Sequence, residues 1–359
     1  MSNPIFIARQ DTLEQEILPA HWLAQYKLFG EESYTFQDKG IWKKLCMSSA
    51  AANDRDIHAE ALEEMLTTFS AEHTGKWMLL VYGTNAAALE GLATMAAIAA
   101  NGTAMGAVVD NALLMHAIAN SETAMQRIAN SQTAMQRVAN NRGAMDAIGR
   151  SRIARDAVQA SPYYNSYIKE NDMAIAKLVV GFANLESARY SGCAGMAADS
   201  TAMTAVAASS TAMTAVAASG VALKAIAQAY KKTANMLQFL KAVNASDTLV
   251  KRIYSTLTGA TGLFGATQLG SQDGVESANS WATTSAASNA FLACACGYYS
   301  SGGSSVNVTY NGTVIAQNKT GAKQPGSVTS TNVNAITMAP STFTENGDGW
   351  LAVQKFTAK

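Results

Sequence analysis

Methionines recur along the middle of the chain with a period of ten residues and no slip. They stand at Met95, Met105, Met115, Met125, Met135 and Met145, and isoleucine or valine follows each of them three residues later. The clearest copies are SETAMQRIAN at 121–130 and SQTAMQRVAN at 131–140. A fixed period predicts a repeat architecture, in which each unit buries its apolar face against its neighbours.

Each ten-residue repeat, or decad, has the composition of a two-turn helix. Ser or Asn at its start supplies an N-cap, and Ala, Met, Gln and Arg are good helix formers. The apolar residues at decad positions 4, 5, 8 and 9 share one helical face. The pattern therefore predicts a helical array with the methionines in its core and with His116 on its surface.

The period also bears on how the helices connect. In one continuous helix ten residues advance about 1000°, about 80° short of three turns, so the methionine stripe would rotate away from any partner. A coiled coil would need about 3.3 residues per turn, tighter than the roughly 3.5 of a heptad. A solenoid of short stacked helices is therefore preferred over an overwound coiled coil. A parallel β-solenoid is disfavoured because Ala and Met are poor strand residues.

The predicted array extends from residue 91 to residue 228. An aromatic patch at Pro162, Tyr163, Tyr164 and Tyr167 interrupts it. Beyond the patch the period resumes with a shift of two places, and STAMTAVAAS occurs twice in succession at 200–219. The arginines at 142, 150, 152 and 155 predict a solvated helical face.

Residues 1–90 predict a small, mostly helical head that is rich in aromatic side chains. The stretch 58–73 has the pattern of an amphipathic helix. The head holds more aromatic residues than a core of its size needs, and this excess indicates a surface that docks onto another protein. The docking candidates are Trp22, Phe29, Phe36 and Trp42.

Residues 229–279 predict a helical and glycine-rich connector, and residues 280–359 predict a small antiparallel β-sandwich. The glycine-rich part, 259–274, predicts a hinge. Further on, apolar and polar residues alternate up to Asn311-Gly312, a pair favoured in type I′ hairpin turns. The predicted fold class is thus multidomain α + β, with a helical head, a helical decad array and a C-terminal β-sandwich.

The charge balance excludes several partners. Charged residues make up 14% of the chain, and Lys+Arg and Asp+Glu both number 26, so the net charge is zero. Nucleic acid and acidic membrane surfaces are held by a surplus of Lys and Arg, so neither is expected. Membrane insertion is not expected either, because the uncharged stretch 91–109 is mostly Ala, Gly and Thr. The first residues lack the pattern of a signal peptide, which predicts synthesis in a cytoplasm.

The chain carries no motif of a catalytic or metal site, and no cofactor is predicted. The four histidines have no paired ligand spacing. Cys294 and Cys296 predict two buried small hydrophobes on one side of a strand. The stretch 345–348 predicts a turn that needs Asn, Gly and Asp for its backbone angles rather than a calcium loop.

Four aromatic residues near the C-terminus are candidates for receptor contact: Tyr298, Tyr299, Tyr310 and Trp350. They stand beside Gly- and Ser-rich segments, and flat aromatic faces bordered by Asn, Ser and Gly suit neutral sugars. Tyr298 and Tyr299 are neighbours on a predicted strand, so one of them should face outward. The alternative for Tyr310 and Trp350 is a place in the core of the sandwich.

The tandem STAMTAVAAS decads and the terminal STFTENGDGWLAVQKFTA resemble bacteriophage tail-fibre and related virion appendage proteins, over about residues 91–359. The resemblance implies a non-enzymatic virion protein, made in the cytoplasm of the host bacterium and usually homotrimeric. Its N-terminal part would anchor it to other virion proteins of the tail, collar or capsid. Its C-terminal part would face a host-surface polysaccharide or protein. The decads differ from the β-spiral and triple-β shafts of many fibres, and residues 1–90 match no anchor module.

Three hypotheses follow. The first is a phage fibre or appendage with a docking head, a helical spacer and a β-sandwich tip for host contact. The second is a capsid or tail decoration protein whose β domain stabilises the shell and binds no host. The third, a glycan depolymerase, is least favoured because no pair of carboxylates in the β domain suits acid/base catalysis.

Overall fold

The computed structural model describes residues 55–67, 74–75, 78, 82, 87–229, 233–260, 262–275, 280–283, 289–298, 304–320, 322–323, 327–346 and 349–359. Contacts divide the chain into two compact units, Met1–Ile168 and Lys169–Lys359. The coarse fold prediction is confirmed, since a long helical run precedes a C-terminal region of mainly antiparallel sheet. The docking candidates Trp22, Phe29, Phe36 and Trp42 lie outside the described residues.

The described part of the first unit is helical. Its helices are α1 (Arg55–Thr67), α2 (Ala87–Glu90), α3 (Met95–Ala100), α4 (Gly102–Asp110), α5 (Ala112–Ala119), α6 (Glu122–Ala129), α7 (Gln132–Ala139), α8 (Arg142–Arg150), α9 (Arg152–Ala160) and α10 (Tyr164–Tyr167).

The second unit combines helices and strands. Its helices are α11 (Asp172–Phe182), α12 (Cys193–Ala198), α13 (Ser200–Ala208), α14 (Ser210–Ala218), α15 (Gly220–Gln228), α16 (Thr233–Asn244) and α17 (Asp247–Gly259). Its strands are β1 (Phe264–Val275), β2 (Ser280–Thr283), β3 (Ala290–Tyr298), β4 (Ser305–Tyr310), β5 (Thr313–Thr320), β6 (Ala322–Lys323), β7 (Ala335–Met338), β8 (Ser341–Asn346) and β9 (Gly349–Ala358).

Consecutive decad helices meet at corners of one or two residues. Asn101 forms such a corner alone, with φ −97° and ψ 113°, and its side-chain oxygen accepts hydrogen bonds from the N–H groups of Thr103 and Ala104, both at 3.0 Å. An extended residue between two helices turns the chain, by 100° between α4 and α5 and by 105° between α13 and α14. The prediction of short capped helices is confirmed.

Decad helices pack against the helix three places further along the chain. In the first unit α4 contacts α7, α5 contacts α8 and α6 contacts α9. In the second unit α11 contacts α14, α12 contacts α15, α13 contacts α16 and α14 contacts α17. Three helices therefore complete one turn, and within each unit the helices stack as the preferred solenoid interpretation predicts.

A serine at a corner joins the ends of two helices from successive turns. The Ser151 hydroxyl oxygen accepts a hydrogen bond from the Ala154 N–H at 3.3 Å, and the hydroxyl donates one to the Ala119 carbonyl oxygen at 2.5 Å. Backbone groups at helix ends have no partner inside their own helix, so one hydroxyl satisfies a donor above and an acceptor below. The donated bond recurs from Ser131 to the Ala99 carbonyl and from Ser161 to the Ala129 carbonyl.

A carboxylate takes the place of a carbonyl at one corner of the first unit. Glu63 of α1 accepts a hydrogen bond from the Ser121 hydroxyl at 2.5 Å. The same carboxylate accepts bonds from the Thr123 N–H at 3.1 Å and the Thr123 hydroxyl at 2.6 Å. A negative charge at the start of α6 is also favoured by the helix dipole. Glu63 thus attaches α1 to the array.

The apolar decad positions form the core, as predicted. The methionines of the first register are buried, from Met95 at 3% exposure to Met145 at 0%. The alanine at position 4 and the branched residue at position 8 are buried as well, as at Ala134 and Val138. Full burial of a side chain of this size contributes about 1.5–3 kcal/mol relative to an exposed one.

The prediction of a solvated arginine face is wrong for Arg155. Arg142, Arg150 and Arg152 are exposed, but Arg155 occupies the methionine position of its decad and is 9% exposed. Its guanidinium donates a hydrogen bond to the Gly149 carbonyl oxygen at 2.7 Å. Burial lowers the pKa of Arg155 below its ordinary value.

One further decad has no methionine at position 5, and the methionine period does not identify it. Asn171 caps α11 by accepting a hydrogen bond from the Ala174 N–H at 3.1 Å, which continues the first register beyond the aromatic patch. Ile175 takes the methionine position and is fully buried. The repeat is therefore defined by its cap and its apolar face, and isoleucine satisfies the face as well as methionine does.

The two-place shift of register arises after α11. Asn184, with φ 57°, ends this helix in the left-handed region, and a 3-10 helix at Ser187–Arg189 follows. Cys193 and Met196 then occupy the methionine and β-branched positions of the shifted register, both fully buried. Asp172 accepts a hydrogen bond from the Cys193 N–H at 3.1 Å, so a carboxylate from α11 caps a helix that follows a glycine.

Two sheets form the C-terminal region. The first has the strand order β1-β9-β3-β6, with β7 also paired to β3, and the β3–β6 pair is parallel. The second has the order β2-β8-β4-β5 and is antiparallel. The predicted hairpin between β4 and β5 is confirmed, because Asn311 and Gly312 have φ 47° and 76°, both positive as a type I′ turn requires.

The first sheet packs directly on the last helices. The Asn244 side chain in α16 accepts a hydrogen bond from the Ile336 N–H at 3.1 Å and donates one to the Ile336 carbonyl oxygen at 2.7 Å. This amide therefore pairs with β7 as a backbone would. Beside it, the rings of Phe239 and Phe291 lie 6.5 Å apart. Helices and sheet thus share one apolar core.

The glycine-rich segment is a strand rather than the predicted hinge. β1 pairs with β9 from Phe264 opposite Ala358 to Val275 opposite Gly349, with two irregularities in register. The sheet begins at Phe264 and not at residue 280, so the predicted connector 229–279 is no separate element. Glycine is depleted in strands, but a long partner strand and a shared core override this preference.

Replacing Ser209 by Ala should lower the free energy of unfolding by about 1–3 kcal/mol. The Ser209 hydroxyl accepts from the Ala212 N–H at 3.2 Å and donates to the Phe182 carbonyl at 3.0 Å. Ser210 is exposed and serves as the matched control, with an expected change within about 0.5 kcal/mol. Urea unfolding measures both. Equal effects of Ser209→Ala and Ser210→Ala would contradict the corner argument.

A fragment of residues 280–359 should not fold by itself, because it lacks β1 and the helices that cover the first sheet. A fragment of residues 169–359 holds the whole second unit and should unfold cooperatively. Circular dichroism during urea titration distinguishes the two fragments. A cooperative transition of the shorter fragment at the midpoint of the longer one would show that the helices do not support the sheets.

Candidate functional site

Two of the four aromatic receptor candidates are core residues. Tyr310 on β4 and Trp350 on β9 are each 1% exposed, so neither offers a face to a ligand. Tyr310 follows the buried Val306 and Val308 on one side of its strand. Burial raises the pKa of Tyr310 above its ordinary value. The receptor-contact prediction is wrong for both residues, and the alternative of a core position is confirmed.

Tyr298 remains a surface candidate. It is partly exposed at the end of β3, where it stands between Gly349 of β9 and Lys323 of β6 in the strand register. Tyr299 lies outside the described residues. Of the three aromatic candidates that the structure describes, Tyr298 is therefore the one with a ring partly open to a ligand.

A polar cleft, which sequence reasoning missed, lies between α17, β5 and the segment before β7. It has a volume of about 470 Å³. Volumes of this size are typical of ligand sites. Its lining residues are Asp247, Lys251, Gln317, Asn318, Lys319, Thr320, Thr331, Asn332, Val333 and Asn334.

The polar cleft contains two lysines, and only one of them forms an ion pair with a carboxylate among the described residues. Lys319 reaches across to Asp247 with its Nζ 2.7 Å from Oδ1, and its side chain is only 21% exposed. Lys251 lies one turn further along α17 and is exposed. Within the described part of the chain no carboxylate lies within ion-pair distance of Lys251. The cleft therefore carries one matched and one unmatched cation.

Two amides hold the wall of the polar cleft in place. Asn334 accepts a hydrogen bond from the Cys296 N–H at 2.7 Å and donates one to the Thr320 carbonyl at 2.6 Å. Asn332 accepts from the Thr329 N–H at 2.6 Å. The Asn334 bonds tie the segment before β7 to β3 and β5, and the Asn332 bond lies within that segment. No pattern in the sequence distinguishes structural amides of this kind from amides that face a ligand.

A second cavity of about 800 Å³ lies between α14, α15 and α17, beside Glu170. Its lining combines apolar side chains such as Val221 and Leu263 with charged ones such as Arg252. The Glu170 carboxylate is occupied, because it accepts hydrogen bonds from the N–H groups of Gly220 and Val221, both at 3.1 Å. This group caps α15 and has a structural role.

The described cysteines are buried and unoxidised. Cys193, Cys294 and Cys296 are each fully buried, which confirms the prediction for the last two. Burial raises the pKa of the Cys193 and Cys294 thiols, so both are protonated at neutral pH and are poor nucleophiles. Among the described residues, no three His, Cys, Asp or Glu side chains are grouped so that they could hold a metal ion.

His116, predicted at the surface of the array, is partly exposed on α5. Its Nε2 lies 3.3 Å from the Asn120 side-chain nitrogen, within the same helix and its C-cap. This contact lies within the array. His116 is therefore part of a decad helix of the array.

Comparison with protein-family models and with curated proteins finds no match for this chain. Among the described helices, none is by itself long and apolar enough to cross a membrane. Two bent pairs, α4 with α5 and α13 with α14, reach that threshold only when each pair is taken together.

Tyr310→Ser should destabilise the second unit by about 3–5 kcal/mol, because it empties a fully buried aromatic position. Tyr298→Ser should cost about 1 kcal/mol or less, since this ring is partly exposed. Urea unfolding of the full chain measures the difference. Similar losses for the two variants would contradict the placement of Tyr298 at the surface.

Proposed function

We propose that the protein is a structural component of a bacteriophage virion, a fibre or appendage. Residues 1–90 anchor it to other virion proteins of the tail, collar or capsid. The decad array is the spacer, and the sheets, arranged as a β-sandwich, meet a glycan or protein of the host surface. The chain is made in the bacterial cytoplasm and assembles as a homo-oligomer, with a trimer favoured.

The observation that supports this proposal most is the repeated corner of the array. Every turn of the solenoid is held by short-range caps and by contacts to the next turn, as at Ser131 and Ser151. Stability in such an array is a sum of local terms, so its length can change by whole decads without a new fold. A spacer of adjustable length is what a virion appendage needs between its anchor and its contact surface.

The second candidate, a decoration protein without receptor binding, is favoured by one specific observation. The first sheet packs on α15, α16 and α17 instead of standing apart from them. Sheets placed in this way cover apolar helix faces that would otherwise be exposed to water. A protective role at the end of the helices could then be their whole function.

Mass spectrometry of purified particles of the encoding phage should detect the full chain. Deleting residues 1–54 should leave a soluble protein that is missing from virions, because the deletion removes Trp22, Phe29, Phe36 and Trp42 and keeps α1, whose Glu63 bonds to the array. The control is a virion that carries Ser210→Ala, an exposed change in the array. Particles that still incorporate the truncated chain would contradict the anchor role.

Pull-down of host cells separates the two candidates. The probe is the full chain purified without other virion proteins. Binding to host cells supports the appendage, and virions that contain the protein while the purified chain binds no host cell support the decoration protein.

A further inference from the structure

We propose that the polar cleft binds an acidic glycan, a polysaccharide segment whose sugar rings carry carboxylates. This inference rests on the proposed host-contact role of the sheets and names the ligand class for it. The cleft lies within the second unit, between α17, β5 and the segment before β7.

The uncommitted amides of the cleft supply groups that sugar hydroxyls require. The side-chain amides of Gln317 and Asn318 are exposed at the cleft, and neither has a hydrogen-bond partner among the described residues. A primary amide offers two donors and one acceptor in a plane. Neighbouring hydroxyl groups on a sugar ring each donate and accept, so they match such an amide in either direction.

The unmatched cation selects a carboxylate. Asp247 already neutralises Lys319 at 2.7 Å, whereas Lys251 has no carboxylate within ion-pair distance in the described part of the chain. Hydrogen bonds between an ammonium and a carboxylate are stronger than those between neutral groups. A sugar carboxylate at Lys251 would complete the second ion pair of the cleft.

The backbone under these groups is fixed before a ligand arrives. Asn318 has φ 50°, in the left-handed region, and its N–H donates a hydrogen bond to the Asn307 side-chain oxygen at 2.7 Å. On the opposite wall, Asn332 and Asn334 are held by the bonds described above. A rigid site loses less conformational entropy on binding than a mobile one.

The lining disfavours other ligand classes. Val333 is its single apolar residue, and peptide recognition depends on apolar or aromatic anchors. Two lysines and one aspartate give the lining a net charge of +1, too little to hold a nucleic-acid backbone. A ligand with many hydroxyls and isolated carboxylates fits both facts.

Isothermal titration calorimetry of the full chain tests the proposal with trisaccharides of galacturonate, glucuronate and mannuronate, and with maltotriose as the neutral probe. At least one acidic probe should bind more tightly than maltotriose. Added salt should weaken that binding because it screens the ion pair. Lys251→Gln should raise the dissociation constant about tenfold, which corresponds to about 1.4 kcal/mol, and should flatten the salt dependence.

Two further variants complete the test. Asn318→Gly removes the amide but tolerates the positive φ, and it should also weaken binding. Lys241→Gln removes an exposed lysine of α16 outside the cleft and is the matched control, with no change expected. Thermal unfolding should show that all three variants remain folded.

The proposal is overturned if no acidic probe binds, if maltotriose binds equally well, or if Lys251→Gln and Lys241→Gln have the same effect. Binding of a peptide or an oligonucleotide at the cleft in place of these sugars would overturn it too. Incorporation into virions is a separate measurement. If the cleft binds no sugar, the proposed appendage role is therefore unaffected. If the protein is absent from virions, the calorimetry still tests the cleft.

Discussion

The hydroxyl group at each serine corner is the interaction on which the helical array depends. A helix of eight or nine residues leaves many of its backbone N–H and C=O groups without partners. The Ser151 hydroxyl satisfies one group of each kind, on two different turns of the solenoid. Because the same hydroxyl bonds both ways, it joins the start of one helix to the end of a helix on the preceding turn. The cap thereby sets the stacking as well as the helix boundary.

Side-chain carboxylates replace this pairing where the repeat is broken. Glu63 meets the corner at Ser121, Asp172 caps the helix that follows a glycine, and Glu170 caps α15. In each case the acceptor comes from a neighbouring segment and bonds to the start of a helix. The repeat tolerates such exceptions because each corner is satisfied locally.

Side-chain amides make equivalent hydrogen bonds to the backbone where helices meet sheets. Asn244 pairs with the backbone of β7, and Asn334 links the segment before β7 to β3 and β5. These bonds leave Gln317 and Asn318 as the amides of the cleft that remain available, which is why the proposed recognition of a glycan centres on them. Side-chain amides therefore stabilise the fold and, in the proposal, also bind the ligand.

The array could be predicted from the sequence because its signals are local: caps, helix formers and an apolar face recur every ten residues. The hairpin at Asn311-Gly312 could be predicted for the same reason, since positive φ at both positions is a property of the turn. Tyr310 and Trp350 could not be assigned, because an alternating strand pattern does not reveal which face another layer will cover. The strand at Phe264–Val275 and the polar cleft also depended on tertiary structure. Segments far apart in the chain form both features. The partner segments therefore decide whether a glycine-rich stretch becomes a strand and whether an amide-rich stretch lines a cleft.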